Sequence, residues 1–320
     1  MAKLVTGGTG FIGAALVDQL LERGEEVVVL DRAPTTHWDN ASRKPEVILG
    51  DITDWPQVLN VFTKHKLDCV FHLAAMLSLP SEANPWAAFQ VNVVGTRNML
   101  EAVRLFGPNK LIMASTTATF GLDIENPEIT DTTLQRPTTM YGSTKVFGEL
   151  LGRFYRKKFG TDFRSVRIPS LVGPLIKTRA IGQYNSWMIE AAAQGKPYSC
   201  YGLPDRGLPL IYYKDTAAAF AVLADAPMEN IKTLNYNIAG VNKSVPPQEI
   251  EASIKKFIPD ADISYDPDDV VIQYFKTLKF DALNDSPARE EWGWKPQFGS
   301  VDAIVEDFIK EVRAHPEWYK

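Results

Sequence analysis

Short apolar runs alternate with amphipathic stretches through the first half of the chain. Lys3-Leu4-Val5 precedes a glycine turn, and then Phe11, Ile12, Ala15, Leu16 and Leu20 recur at helical spacing as far as Gly24. Val27-Val28-Val29-Leu30 is a continuous apolar run ending at Asp31, the pattern of a strand covered on both faces. Val47-Ile48-Leu49, Cys69-Val70-Phe71-His72-Leu73, Leu111-Ile112-Met113-Ala114 and Ser165-Val166-Arg167-Ile168 predict further strands. Residues 55–64, 92–105 and 143–159 predict helices between them. This alternation implies an α/β fold, a doubly wound parallel sheet with helices on both faces.

The pattern changes after Gly173. Residues 174–209 combine a loop with a helical segment at 184–194, and a strand–helix pair at 210–224 is expected to return to the sheet. Beyond Tyr236, shorter elements follow at 249–257, 263–265 and 301–312. The expected division is a core of residues 1–172 with 210–235 returning to it, and a smaller, discontinuous C-terminal lobe of 173–209 and 236–320.

Composition narrows the class. A net charge of −5 with scattered lysines and arginines gives no nucleic-acid footprint. The apolar runs fall short of the ~20 residues a membrane helix needs. A core strand at Lys3 leaves no place for a signal peptide. Of the two cysteines, Cys69 and Cys200, Cys69 lies in an apolar strand pattern and reads as a small buried hydrophobe, and no two of the four histidines, His37, His65, His72 and His315, have metal-ligand spacing. The expectation is a reduced, cytoplasmic, metal-free protein with no membrane or nucleic-acid partner.

Gly7, Gly10 and Gly13 lie between the first strand and the first helix. Glycines there let the backbone approach a pyrophosphate, and the helix start, Phe11 and Ile12, offers unpaired amides to the anion. Asp31 ends the second strand 24 residues after Gly7, where a carboxylate accepts from ribose hydroxyls and repels a 2′-phosphate, favouring NAD over NADP. Arg32 either softens that preference or is a solvent-facing turn charge. Asp51-Ile52 follows the third strand at a position suited to the adenine edge, although Asp51 also suits a helix N-cap.

Tyr141 and Lys145, four residues apart, share one face at a helix start. An ammonium beside a phenol stabilises phenolate, so Tyr141 is expected to act as a base. Thr116, after the fifth strand, is placed to orient a substrate oxygen.

With His72-Leu73-Ala74-Ala75, Asn92-Val93-Val94-Gly95-Thr96 and Arg167-Ile168-Pro169, these residues resemble the extended short-chain dehydrogenase/reductase superfamily across essentially the whole chain. The resemblance implies a Rossmann core, NAD, and a Thr116–Tyr141–Lys145 mechanism. Thr116 rather than Ser115 is selected because it opens the segment ending in Phe120-Gly121. It implies that Leu73, Ala74, Ala75 and Ile168 line the cofactor, with Asn92 in the supporting shell and His72 a packed strand residue. It also implies a homodimer, through the 92–105 helix and the apolar surface of Val146, Phe147, Leu150, Leu151, Phe154 and Tyr155.

Within the superfamily, sugar-nucleotide epimerases and dehydratases carry an arginine seven residues before the aspartate that corresponds to Asp215. Leu208 occupies that position, with Arg206 two residues out of register. The lobe instead resembles the short-chain-type L-threonine 3-dehydrogenases in Leu208-Pro209-Leu210-Ile211-Tyr212, Tyr236-Asn237-Ile238-Ala239-Gly240 and 285–294. That branch implies a small-molecule substrate touching Ser78, Thr116, Thr117, Tyr141 and Tyr184. Ser78 is alternatively a turn cap. The branch's Thr-Thr-Asp-Tyr is replaced by Ile181-Gly182-Gln183-Tyr184, and nearby Arg179 is either a carboxylate fork or a loop charge. Oxidation of L-threonine is the leading expectation. Oxidation of another small hydroxy acid, sugar-nucleotide 4-epimerisation or dehydration, and a dinucleotide-sensing regulator are the alternatives.

Overall fold

The computed structural model describes residues 1–108 and 110–319. The first five strands are β1 (Ala2–Thr6), β2 (Val27–Asp31), β3 (Glu46–Leu49), β4 (Leu67–His72) and β5 (Lys110–Thr116). They are followed by β6 (Glu128–Ile129), β7 (Asp162–Ile168), β8 (Ser170–Val172), β9 (Tyr198–Cys200) and β10 (Leu208–Tyr212). The last four are β11 (Asn235–Asn237), β12 (Val241–Val245), β13 (Ile263–Tyr265) and β14 (Ala282–Leu283). The helices around the cleft are α1 (Phe11–Glu22), α2 (Trp55–Lys64), α3 (Ser78–Ala83), α4 (Pro85–Ala88), α5 (Thr96–Phe106), α6 (Met140–Phe159), α7 (Tyr184–Ala193) and α8 (Tyr213–Asp225).

Seven parallel strands form the central sheet in the order β3-β2-β1-β4-β5-β7-β11. Strand order reverses between β1 and β4, so a crevice opens beyond their C-terminal ends, where open α/β sheets bind ligands. One face is closed by α1 and α8 around Leu16, Leu20, Phe71 and Phe220. The other is closed by α2 and α5 around Val58, Phe62, Leu100 and Phe163. Gly152 of α6 sits on Phe163, where a Cβ would lie 2.2 Å from the ring, so the helix rests directly on the sheet.

The lobe has its own five-stranded mixed sheet, β6-β14-β12-β10-β8, and a β13–β9 pair. Its core gathers Tyr184, Met188, Tyr212, Phe275 and Phe308. The chain passes from one sheet to the other at Pro169, between β7 and β8.

The boundary at 210–236 differs from the sequence expectation. β10 does not rejoin the central sheet: it pairs with β8 and β12 in the lobe, and only α8 returns, packing on α1. The seventh core strand is β11, assigned to the lobe from Tyr236 onward, and it lies parallel to β7. A strand buried on both faces has the same apolar composition in either sheet, so β10's residues do not name their neighbours. Asn235 and Asn237 hide β11 by their polarity, yet both are buried and hydrogen-bonded, Asn235 to Ser165 Oγ. The helix expected at 92–105 starts earlier, as a π-helical segment at Phe89–Gly95 running into α5.

Candidate active site

Steric limits set the glycine turn. Gly7 has φ +73°, and a Cβ there would meet the Ala74 nitrogen at 2.7 Å. A Cβ on Gly13 would stand 2.1 Å from the Gly7 carbonyl oxygen. The turn, the start of α1 and the end of β4 are thus held closer than any side chain permits. Gly10 precedes α1 without a side-chain cap, and the first turn has no acid, which leaves its amides to an anion. Phe11 lies against Tyr213 of α8, their rings 5.2 Å apart.

Asp31 has a double duty. One carboxylate oxygen accepts from Thr9 N–H at 3.0 Å and the other from Ala33 N–H at 3.1 Å, so it shapes the glycine turn as well as closing β2. Arg32 is exposed and paired with Asp51 at 3.5 Å. Asp51 is not a helix cap: Asp54 caps α2 through Gln57 N–H, while Asp51 accepts from Thr53 N–H. The Ile52 side chain is buried against Gly95, so only its main chain can face a ligand.

Leu73, Ala74 and Ala75 follow β4, half-buried along the crevice. A buried chain of hydrogen bonds holds them. Thr96 donates to the Asn92 carbonyl at 2.6 Å and therefore accepts from His72 Nε2–H at 3.0 Å. His72 Nδ1 then accepts from the Thr6 hydroxyl at 2.8 Å. Burial, aided by the Lys145 charge, pushes this imidazole down to about 3, so it stays neutral and structural. Asn92 clamps both backbone polar groups of Met76 and donates to Thr144 Oγ1 on α6. The π-helical turn carries this residue, in keeping with the use of such turns at functional sites.

Thr116 and Thr117 stand where β5 runs into a short turn. Thr116 Oγ1 accepts from Ala118 N–H at 3.1 Å. Thr139 caps α6 through Gly142 N–H, and a Cβ on Gly142 would lie 2.3 Å from the Ala118 carbonyl oxygen. That glycine lets the turn carrying Tyr141 sit directly on the turn carrying Thr116. Lys145 is buried, donates from Nζ to the Ala114 carbonyl at 2.8 Å, and lies 5.7 Å from the Tyr141 ring centre. Burial lowers its pKa to about 8 against the opposing field of Glu149. Burial raises the Tyr141 phenol above its ordinary value. Ile168 ends β7 beside Thr116, its register partner.

The substrate-side expectations separate. Ser78 opens α3 half-buried; its hydroxyl is not the cap and has no partner among the described residues. Arg179 does not open toward the cleft: it is exposed, bonded to Asp268 at 2.6 Å and stacked 4.5 Å over Tyr201. Tyr184 is fully buried, its ring in the lobe core against Tyr201 and its hydroxyl without a protein partner. Its neighbours were not anticipated. The Gln183 Nε2 and both polar side-chain atoms of Asn185 are buried without a protein partner, and a Cβ on adjacent Gly182 would touch Ser170 Oγ. Buried carboxamides left open at a loop-to-helix junction are suited to a polar ligand. Leu208 is buried in β10 and Arg206 exposed, so no arginine occupies the diphosphate position.

Residues 3–239 match the model of the NAD dependent epimerase/dehydratase family. The chain belongs to that family. As a member, it is an NAD-dependent oxidoreductase of the extended short-chain dehydrogenase/reductase type. It is 31% identical over 308 residues to the mitochondrial L-threonine 3-dehydrogenase of Bos taurus, covering 94% of this chain and 80% of that one. Its fold is similar to L-threonine dehydrogenase from Clostridium difficile, with TM-score 0.89, 30% identity and 98% of both chains covered. The enzyme from Phytophthora infestans gives TM-score 0.88 and 34% identity over 98% of this chain and 99% of that one.

Among the described residues, no cluster of side chains suits a metal ion and no helix is long and apolar enough to cross a membrane. The Gly7–Gly13 cradle, which any Cβ would fill, fits the pyrophosphate of NAD.

Proposed function

We propose that this family member oxidises the secondary alcohol of L-threonine to the ketone of 2-amino-3-oxobutyrate. The observation that carries this reading is the whole-chain likeness to L-threonine dehydrogenases, which extends through the lobe as well as the nucleotide-binding core. Asp31, the glycine turn, Ile52 main chain, Leu73–Ala75 and Ile168 hold the dinucleotide. Bound NAD supplies the hydride acceptor. Thr116 donates to the alcohol oxygen and fixes its direction. Tyr141 takes the hydroxyl proton as phenolate, and Lys145 stabilises that phenolate. Ser78, Thr117, Gln183 and Asn185 receive the polar end of the substrate; Arg179, paired with Asp268, leaves this role.

The working unit we propose is a homodimer. Phe147, Leu150 and Phe154 of α6 are about half exposed, and Trp86 and Phe89 stack beside that helix at 6.2 Å. Apolar surface of this extent suits a second copy.

The test is NADH formation from NAD and L-threonine. Tyr141→Phe is expected to lower turnover by about a thousandfold while NAD affinity stays unchanged. Undiminished turnover would remove Tyr141 from the mechanism. Tyrosine-dependent oxidation of 3-hydroxybutyrate but not L-threonine would move the substrate to a hydroxy acid without an amino group.

A further inference from the structure

Glu149 is the only acid in α6 and is fully buried, one turn beyond Lys145. Its Oε1 accepts from Ser115 Oγ at 2.5 Å and Arg167 Nε at 3.0 Å. Its Oε2 accepts from Arg167 Nη2 at 2.6 Å and Gln135 Nε2 at 2.9 Å. Ser115 immediately precedes Thr116, Arg167 immediately precedes Ile168, and Gln135 lies on the segment leading into α6. Ser115 and Arg167 are also register partners across β5 and β7. One carboxylate therefore gathers the segments that carry every member of the proposed catalytic cluster.

We propose that Glu149 is a positioning residue for the Tyr141–Lys145 pair: it locks the ends of β5 and β7 against α6 and sets a carboxylate one helical turn beyond Lys145. This rests on the dyad reading above. The groups facing Lys145 are the Ala114 carbonyl from β5, the Tyr141 ring and Glu149 from α6, and neutral His72 from β4. Those facing Glu149 are Arg167, Ser115, Gln135 and Lys145, with Asp131 beyond Arg167 and Glu291 beyond Asp131. Among the described residues Glu149 is thus the one anion in the field of Lys145, and it opposes the burial that draws the lysine toward its neutral form.

The sign follows directly. Removing the charge lets Lys145 lose its proton at lower pH, so the alkaline limb of the kcat profile moves down. With NAD and L-threonine, Glu149→Gln is expected to shift that limb by about one pH unit. Glu149→Asp keeps the charge but shortens the reach, so its limb should stay in place while kcat falls. A folded Glu149→Gln enzyme whose limb coincides with the wild type overturns the proposal. Because Glu149→Gln leaves Arg167 buried without its counter-ion, Ser115→Ala decides if that variant is unfolded or inactive. Ser115→Ala unpairs no charge; kcat is expected to drop about tenfold with KM for NAD unchanged, and an unaltered kcat overturns the proposal. Tyr141→Phe, run alongside, separates the readings: its retained activity would reject the dyad itself.

Discussion

Gly13 shows what a single backbone position requires here. Its Cβ site is occupied by the Gly7 carbonyl oxygen at 2.1 Å, so even alanine forces the glycine turn off α1. Gly13→Ala is expected to weaken NAD binding at least about tenfold, roughly 1.4 kcal/mol, measured by titration calorimetry; unchanged affinity would mean that the turn does not hold the phosphates. This role is legible in sequence because it depends on spacing within one turn. Asp31 is legible for the same reason at the end of its strand, but its grip on Thr9 N–H is not. Asp31→Ser is therefore expected to cost NAD affinity even as it relaxes exclusion of NADP. Competitive titration of both dinucleotides checks this, and a variant that gains NADP with no loss of NAD affinity would deny Asp31 its part in the turn.

At the scale of elements, α6 has three faces with three tasks. Gly148 and Gly152 press it on the sheet, Tyr141, Lys145 and Glu149 face the cleft network, and Phe147, Leu150 and Phe154 are left outside. Periodicity predicts an apolar helix there but does not apportion its surface, since Phe147, Leu150 and Phe154 are as apolar in the chain as Leu151, which packs against the core. Leu150→Glu is expected to convert a dimer into a monomer in sedimentation velocity, with the circular dichroism spectrum unchanged; a wild-type protein that sediments as a monomer would reject the α6 interface. The loop before α7 was the least legible element. Arg179 reads as a free cation in sequence, yet its partner Asp268 lies 89 residues away. Tyr184 reads as a ligand contact, yet Gly202 admits its ring into the lobe core.

Across the whole molecule, the two sheets meet through Arg167 and Asp131. Arg167 donates to the Asp131 carbonyl, and Asp131 Oδ1 accepts from Asn237 N–H of β11. Burial pushes the Asp131 carboxyl up to about 7. The folded value thus exceeds the unfolded one of about 4. The native state therefore holds more protons between these values, and stability falls as pH rises from about 4 to 7 on account of this residue. Asp131→Asn keeps an acceptor for Asn237 and removes the ionisation. It is expected to raise Tm more at pH 8 than at pH 5; an equal change at both would show that Asp131 does not titrate in this way.

By itself the sequence determined the α/β alternation, the glycine turn, the Tyr141–Lys145 face and most helix positions. All of these follow from backbone sterics and from periodicities of 2 and 3.6 that neighbours along the chain express. Only the tertiary structure decided that β10 belongs to the lobe and β11 to the core. It alone drew Arg179 to Asp268, buried Tyr184, and joined Ser115, Glu149 and Arg167 around one carboxylate. These outcomes depend on partners far apart in sequence. Burial then changes the chemistry of the same side chains by stripping away water, which is why Lys145 and Tyr141 have shifted acidities that their spacing alone does not reveal.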